Sequence, residues 1–277
     1  MLENIKLIAT DLDGTLLTAK KDISEKTRNT IEQCLNRGAV FVPCTGRAFE
    51  AIHPWLRNHE KIRYYISTNG AVVYDKKAER ILNCYDIDFD TVKKISESLS
   101  RDTSLEIIID GKLYTGKKID IYIYGVQDYF QYHYYQTRIE VGDLLEFARR
   151  AEKPIEKVHI IFKDPEEREK ILREFSVFED LCVCPAPGKC IEITDKRATK
   201  GDAVKFLCDT LKISCDDVLY FGDQANDMSA LKYCRHVVAM ENAVAELKES
   251  AFVVTETNDN DGVARIIDQW TESHKDC

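Results

Sequence analysis

Lys6-Leu7-Ile8-Ala9-Thr10-Asp11-Leu12-Asp13-Gly14-Thr15 is the stretch on which the rest of the chain turns. Its first half is a short apolar run with the pattern of a buried strand, and it leads directly into two carboxylates spaced two apart and a glycine. Open α/β sheets collect ligands at the carboxyl ends of their strands, which is where Asp11 and Asp13 stand. On its own the stretch also fits an Asp-rich surface turn. Two acids at that position can point into one cleft, and paired carboxylates with other oxygen donors suit Mg²⁺. One can attack while the other handles protons. A carboxylate nucleophile acting on phosphorus gives an acyl phosphate that water can cleave, so one difficult hydrolysis becomes two easier steps.

Working outward, residues 24–37 carry Ile31, Cys34 and Leu35 at helical spacing, with Ser24 as N-cap and Gly38 as the stop. Residues 39–44 read as the next buried strand, 48–59 as a helix kinked at Pro54, and 64–67 as a third strand, together a βαβαβ half of a parallel sheet. The alternation resumes near Lys200: helix 202–211, strand 218–221, helix 227–233, strand 236–240, helix 243–249, strand 252–254 and helix 263–271. The expected architecture is a doubly wound, Rossmann-like α/β core made of residues 1–83 and 192–277. Residues 84–191 follow a different grammar: helix 90–100, strand 105–109, the hairpin dipeptide Asp110-Gly111, strand 112–115, then helix–strand units at 142–162 and 165–184. They read as an inserted α/β domain.

The second core strand ends in Thr45-Gly46-Arg47, a hydroxyl beside a glycine whose backbone can approach an anion. Alone, Thr-Gly reads equally as a common turn. Lys200 opens a helix, where an ammonium and free N–H groups make a positive pole; alone it is an ordinary solvated lysine. Strand 218–221 enters Gly222-Asp223-Gln224-Ala225-Asn226-Asp227. One acid or amide would cap the helix that follows, so two acids point to a metal pole. Gathering Asp11, Asp13, Asp223 and Asp227 without a cation would be strongly unfavourable, which predicts a bound divalent ion.

These four segments, in this order and each where the strand pattern wants it, resemble the motifs of the haloacid-dehalogenase-like superfamily. Thr68-Asn69-Gly70-Ala71 ahead of a large insertion resembles its Cof-type branch of small-molecule phosphatases. The resemblance implies an inserted cap that sets specificity. It implies Asp11 as nucleophile and Mg²⁺ ligand, Asp13 as general acid/base with its backbone carbonyl on the metal, and Asp223 as the third protein ligand, with Asp227 behind it. Thr45 and Lys200 would hold phosphoryl oxygens, Lys200 also neutralising Asp11, while Gly46, Arg47, Asn69 and Asn226 would face substrate. Ala230 stands where the family often has Met, a difference of packing rather than chemistry. The expected activity is Mg²⁺-dependent hydrolysis of a small phosphorylated metabolite, a sugar phosphate or phosphorylated cofactor. A phosphohexomutase-like transferase is the nearest alternative, and a non-catalytic Mg²⁺- or phosphate-binding regulator the next.

Composition narrows the rest. The 277 residues carry a net charge of -9, the wrong sign for holding a nucleic-acid backbone over a broad surface. No apolar run reaches the ~18 residues of a membrane span and the N-terminus lacks signal-peptide character, so a cytoplasmic location is expected. Ten scattered cysteines without a C-x-x-C read as reduced thiols, most of them small buried apolar residues. Seven of thirteen tyrosines fall between Tyr114 and Tyr135, a pattern fitting sheet packing or a stacking surface.

Overall fold

The computed structural model describes residues 4–119, 136–186 and 189–272. The chain divides into one unit of Met1–Arg47, Ile52–Asn83 and Thr199–Cys277, and a second of Ala48–Ala51 and Cys84–Ala198. The expected boundary at 191/192 cuts the strand Cys190–Asp195, which pairs with Leu181–Ala186 on one side and Ile155–Ile161 on the other. A strand hydrogen-bonded on both edges cannot be shared between units without orphaning its backbone groups, and the division falls after Ala198 instead.

In the first unit a five-stranded parallel sheet runs in the order Val253–Val254, His236–Ala239, Val218–Gly222, Leu7–Thr10, Val40–Pro43. Leu7 is in register with Val218 on one side and Val40 on the other, so Leu7–Thr10 is a central strand, and all four of its residues are buried. The helix Glu25–Asn36 begins at Ser24, whose hydroxyl accepts from Thr27 N at 3.0 Å, and Thr30 ties it to Asp268 of the helix Gly262–Glu272 at 2.9 Å. Tyr64–Ser67 meets the parallel sheet through a bridge from Ile66 to Cys44. It then pairs antiparallel with Val72–Asp75, opening a three-stranded sheet of its own.

Two expected helices take other forms. Residues 48–59 hold a 3₁₀ turn at Phe49–Ala51 and a short helix Pro54–Asn58. Pro54 starts that helix rather than kinking a longer one, because its missing N–H costs nothing in a first turn. The expected helix 227–233 is a 3₁₀ helix, Ala225–Lys232, tightened where the backbone N–H of Gln224 donates to Asp227 Oδ2 at 3.0 Å.

The second unit is a six-stranded sheet ordered Leu181–Ala186, Cys190–Asp195, Ile155–Ile161, Ser104–Ile109, Lys112–Thr115, Arg138–Glu140. One face puts Ile107, Val158, Ile160, Ile191 and Ile193 into an apolar core with Val92, Ile95 and Ile171 of its helices. Asp110 and Gly111 both take positive φ, the tight hairpin their dipeptide calls for. Tyr114 lies 4.5 Å from the Phe147 ring, a packing contact. Tyr122, Tyr124, Tyr129, Tyr132, Tyr134 and Tyr135 lie outside the described residues. No helix among the described residues is long and apolar enough to cross a membrane.

The opposite face of this sheet buries charge. Glu106, in register with His159, accepts from Arg138 Nη2 at 3.1 Å and lies 2.8 Å from His159 Nδ1. Burial alone would raise Glu106, but Arg138 and His159 hold it down to about 2. Burial alone would lower His159, but Cys190 and Glu106 hold it up to about 9. The signs differ. The contribution of Glu106 is complete above its ordinary 4.5 and lost as pH falls toward 2. That of His159 is complete below its ordinary 6.5 and lost as pH rises through 9. The unfolding free energy from urea titration should therefore fall between pH 6.5 and 9 by an amount reaching about 3 kcal/mol, and the fall should flatten in His159→Gln. An unchanged alkaline decline in that variant would remove His159 as its source.

Candidate active site

The carboxyl ends of two adjacent strands bring the acids together. Asp11 follows Leu7–Thr10 and is tied by its N–H to Phe221 O at 2.9 Å, so the two strand ends that carry Asp11 and Asp223 are locked side by side. Gly14 has φ +86°, and a Cβ there would lie 2.4 Å from Asp223 Oδ2, so only glycine lets this turn pass under that carboxylate. Thr15 donates to Asp223 Oδ1 at 2.8 Å and Gln224 Nε2 to Oδ2 at 3.0 Å.

Lys200 sits at the start of the helix Lys200–Leu211, its side chain fully buried. Its ammonium donates to Asp11 Oδ1 at 2.6 Å and Asp227 Oδ1 at 2.8 Å. Gly201 allows this helix to lie close to the 225–232 turn, since a Cβ would stand 2.1 Å from Ser229 O. Asp227 is saturated: Tyr220 Oη donates to Oδ1 at 2.6 Å, and the backbone of Asp223 and Gln224 donates to Oδ2 at 2.9 and 3.0 Å. Asp11 keeps one oxygen that no described residue donates to.

Oxygens of Asp11, Asp223 and Asp227 lie within 4.8 Å of one another, the only such group of potential metal ligands among the described residues. Burial pushes Asp11 well above the usual carboxylate range, with Lys200 opposing and Asp227 and Asp223 adding to the rise. Burial likewise raises Asp223. Lys200 is lifted above its ordinary value, Asp11 and Asp227 outweighing its burial. One ammonium among three buried carboxylates leaves negative charge uncompensated, and a hard all-oxygen donor set of this kind fits a divalent cation such as Mg²⁺. Because Asp227 has its acceptor positions filled, Asp11 and Asp223 are the side chains with capacity to ligate.

Asp13 is held in a cationic clamp. Arg47 Nε donates to Oδ2 at 2.6 Å and Nη2 to Oδ1 at 2.7 Å, and Lys21 Nζ adds a bond to Oδ1 at 2.7 Å. Burial would raise this carboxyl, but Arg47 and Lys21 hold it well below the usual range. Thr45 is buried, its hydroxyl accepting from Arg47 N at 3.2 Å. Gly46 packs beside Asn69, which has φ 59° and accepts from Asn226 Nδ2 at 3.1 Å. All ten residues singled out in the sequence therefore lie in the first unit, around the ends of the strands Leu7–Thr10, Val40–Pro43, Tyr64–Ser67 and Val218–Gly222.

Three neighbours were not legible beforehand. Tyr220 reads as an apolar strand residue, Lys21 as a turn lysine, and Asn242, which donates to Gly14 O at 2.7 Å, as part of a loop.

The family model for haloacid dehalogenase-like hydrolases matches residues 8–267. A Haemophilus influenzae protein that bears the name "Putative phosphatase" is 32% identical over 267 residues, covering 95% of this chain and 97% of its own. A Bacillus subtilis protein named 5-amino-6-(5-phospho-D-ribitylamino)uracil phosphatase is 29% identical, covering 96% and 98%. Among solved structures, a haloacid dehalogenase-like hydrolase from B. subtilis superimposes with a TM-score of 0.81 at 27% identity, covering 95% of this chain and 99% of that one.

Proposed function

Since the chain belongs to the haloacid dehalogenase-like hydrolase family and is a phosphatase, we propose that it hydrolyses a small phosphorylated metabolite through a phosphoryl group carried on Asp11. The observation that supports this most directly is the buried Lys200 bridging Asp11 and Asp227, which fixes the Asp11 carboxylate and leaves one oxygen without a donor to attack phosphorus. In the first step Asp11 displaces the ester oxygen while Asp13 gives that oxygen a proton. In the second, Asp13 takes a proton from water, whose oxygen attacks the phosphorus and frees Asp11. Thr45 and Lys200 hold the phosphoryl oxygens.

Asp13 rests as a carboxylate in its clamp, the form the second step needs. To act as an acid it must part from Arg47 and take up a proton from solvent, and a substrate dianion arriving among Arg47, Asn69 and Asn226 competes for that same guanidinium. Mg²⁺ held by Asp11, Asp223 and the Asp13 backbone carbonyl would offset repulsion between the anionic nucleophile and the phosphate. The relative named for a phosphorylated ribityl group on a heterocycle favours a phosphorylated polyol, sugar or cofactor precursor as substrate class.

The test is phosphate release from a panel of sugar, polyol and nucleotide monophosphates, with Mg²⁺ and with chelator. The expected result is turnover of phosphomonoesters that chelation abolishes and Mg²⁺ restores. Full activity in chelator would overturn the metal assignment. Label passing from one sugar hydroxyl to another without phosphate release would make the protein a mutase.

A further inference from the structure

The second unit carries a pair of thiols that the phosphatase chemistry does not use. Cys182 and Cys184 lie two apart on the strand Leu181–Ala186, which is the edge of its sheet among the described residues. They stand opposite Thr194 and Glu192, on one face, with their sulfurs 3.4 Å apart. Cys182 is half-buried and Cys184 exposed.

Residues two apart on a strand have Cα atoms separated by roughly 6.6 Å and side chains standing nearly parallel. A disulfide needs Cβ atoms within about 4.5 Å, so direct closure would bend the backbone. A third atom between the sulfurs has no such requirement. With bonds of about 2.3 Å, it joins sulfurs roughly 3.3 Å apart at a right angle and roughly 3.8 Å apart at a tetrahedral one. The observed separation falls inside that span. We propose that Cys182 and Cys184 form a two-thiolate binding site for a soft, thiophilic centre, of which trivalent arsenic is the representative.

Five other thiols are poorer candidates. Cys34, Cys44, Cys190, Cys208 and Cys234 are buried, and burial pushes Cys34 and Cys234 up to about 12 and raises Cys44 and Cys208 as well. The hydrogen bond between Cys182 and Cys184 instead lowers Cys182 and raises Cys184, so the pair offers one thiolate and one thiol whose proton leaves as the second bond forms.

Phenylarsine oxide is the probe. Two S–H bonds and the As–O double bond are lost, two As–S bonds form, the oxygen leaves as water with both protons, and arsenic stays trivalent. Native mass spectrometry of the reduced full chain should show one adduct, heavier by the arsenical less one water. The adduct should survive excess glutathione and be removed by a small dithiol. Cys184→Ser, at an exposed position, and Cys182→Ser should each weaken retention at least ~100-fold, because chelation becomes single attachment. Thermal unfolding verifies that the variants fold. Peptide mapping of the wild-type adduct gives an answer independent of them. No adduct, an adduct mapping to other cysteines, such as Cys208 with its hydrogen-bonded neighbour Cys215, or equal retention in the serine variants would overturn the proposal.

Discussion

Asp11→Asn should leave a folded protein whose phosphomonoesterase turnover is at least ~10⁴-fold lower, the scale on which removing a nucleophile acts. The amide occupies the same volume and still offers an oxygen to Lys200, now 2.6 Å from the carboxylate. It removes a buried negative charge that is held at a cost, since Asp11 lies well above the usual carboxylate range through burial. The variant should therefore unfold no earlier than wild type while failing to incorporate phosphate. The paired measurements are thermal unfolding and acid-quench trapping of phosphoenzyme. Substantial turnover in Asp11→Asn would move the nucleophile elsewhere, and turnover lost together with the fold would leave a structural role for this carboxylate.

Asp13→Ala should separate two kinds of leaving group. A sugar alkoxide needs a proton to depart, so the first step with a sugar phosphate should slow by roughly 10²–10⁴-fold. A nitrophenolate departs without one, so an aryl phosphate should lose little in that step. The second step lacks its base with either substrate, and aryl phosphate should give a burst of phenol followed by slow turnover while phosphoenzyme accumulates on Asp11. Rapid-mixing kinetics with trapping, and Mg²⁺ affinity measured in parallel, provide the check. Equal first-step losses for the two leaving groups with no trapped phosphoenzyme would reduce Asp13 to a positioning residue. The same variant strips Arg47 and Lys21 of their shared partner, so substrate affinity should rise as the guanidinium becomes available to phosphate.

The strand-end acids were legible because each closes a short apolar run, and topology gathers such ends at one edge of a parallel sheet. Lys21 was not, since its reach to Asp13 depends on a turn in which it takes φ 60°, and no periodicity reports that. Tyr220 looked like packing because its hydroxyl finds Asp227 only after the chain folds back through the 3₁₀ turn. Glu106 and His159 sit in β-branched runs that announce strands, but their pairing is set by register across 53 residues of chain. The Pro54 reading failed for a local reason: a proline looks the same in sequence whether it bends a helix or begins one.

The central place of Leu7–Thr10 also has a temporal side. This strand is made before the others of its sheet, while the lysine that contacts Asp11 lies 189 residues later. At translation speeds of roughly 5–20 residues per second the interval is about 10–40 s. Throughout it the edge that will pair with Val218–Gly222 has no strand to bond to. The second unit's strands and helices all emerge within that window. The catalytic sheet is thus completed last, its oldest strand waiting for a partner from the far end of the sequence, and the nascent chain must carry an unsatisfied Leu-Ile-Ala-Thr edge until Gly222 has been synthesised.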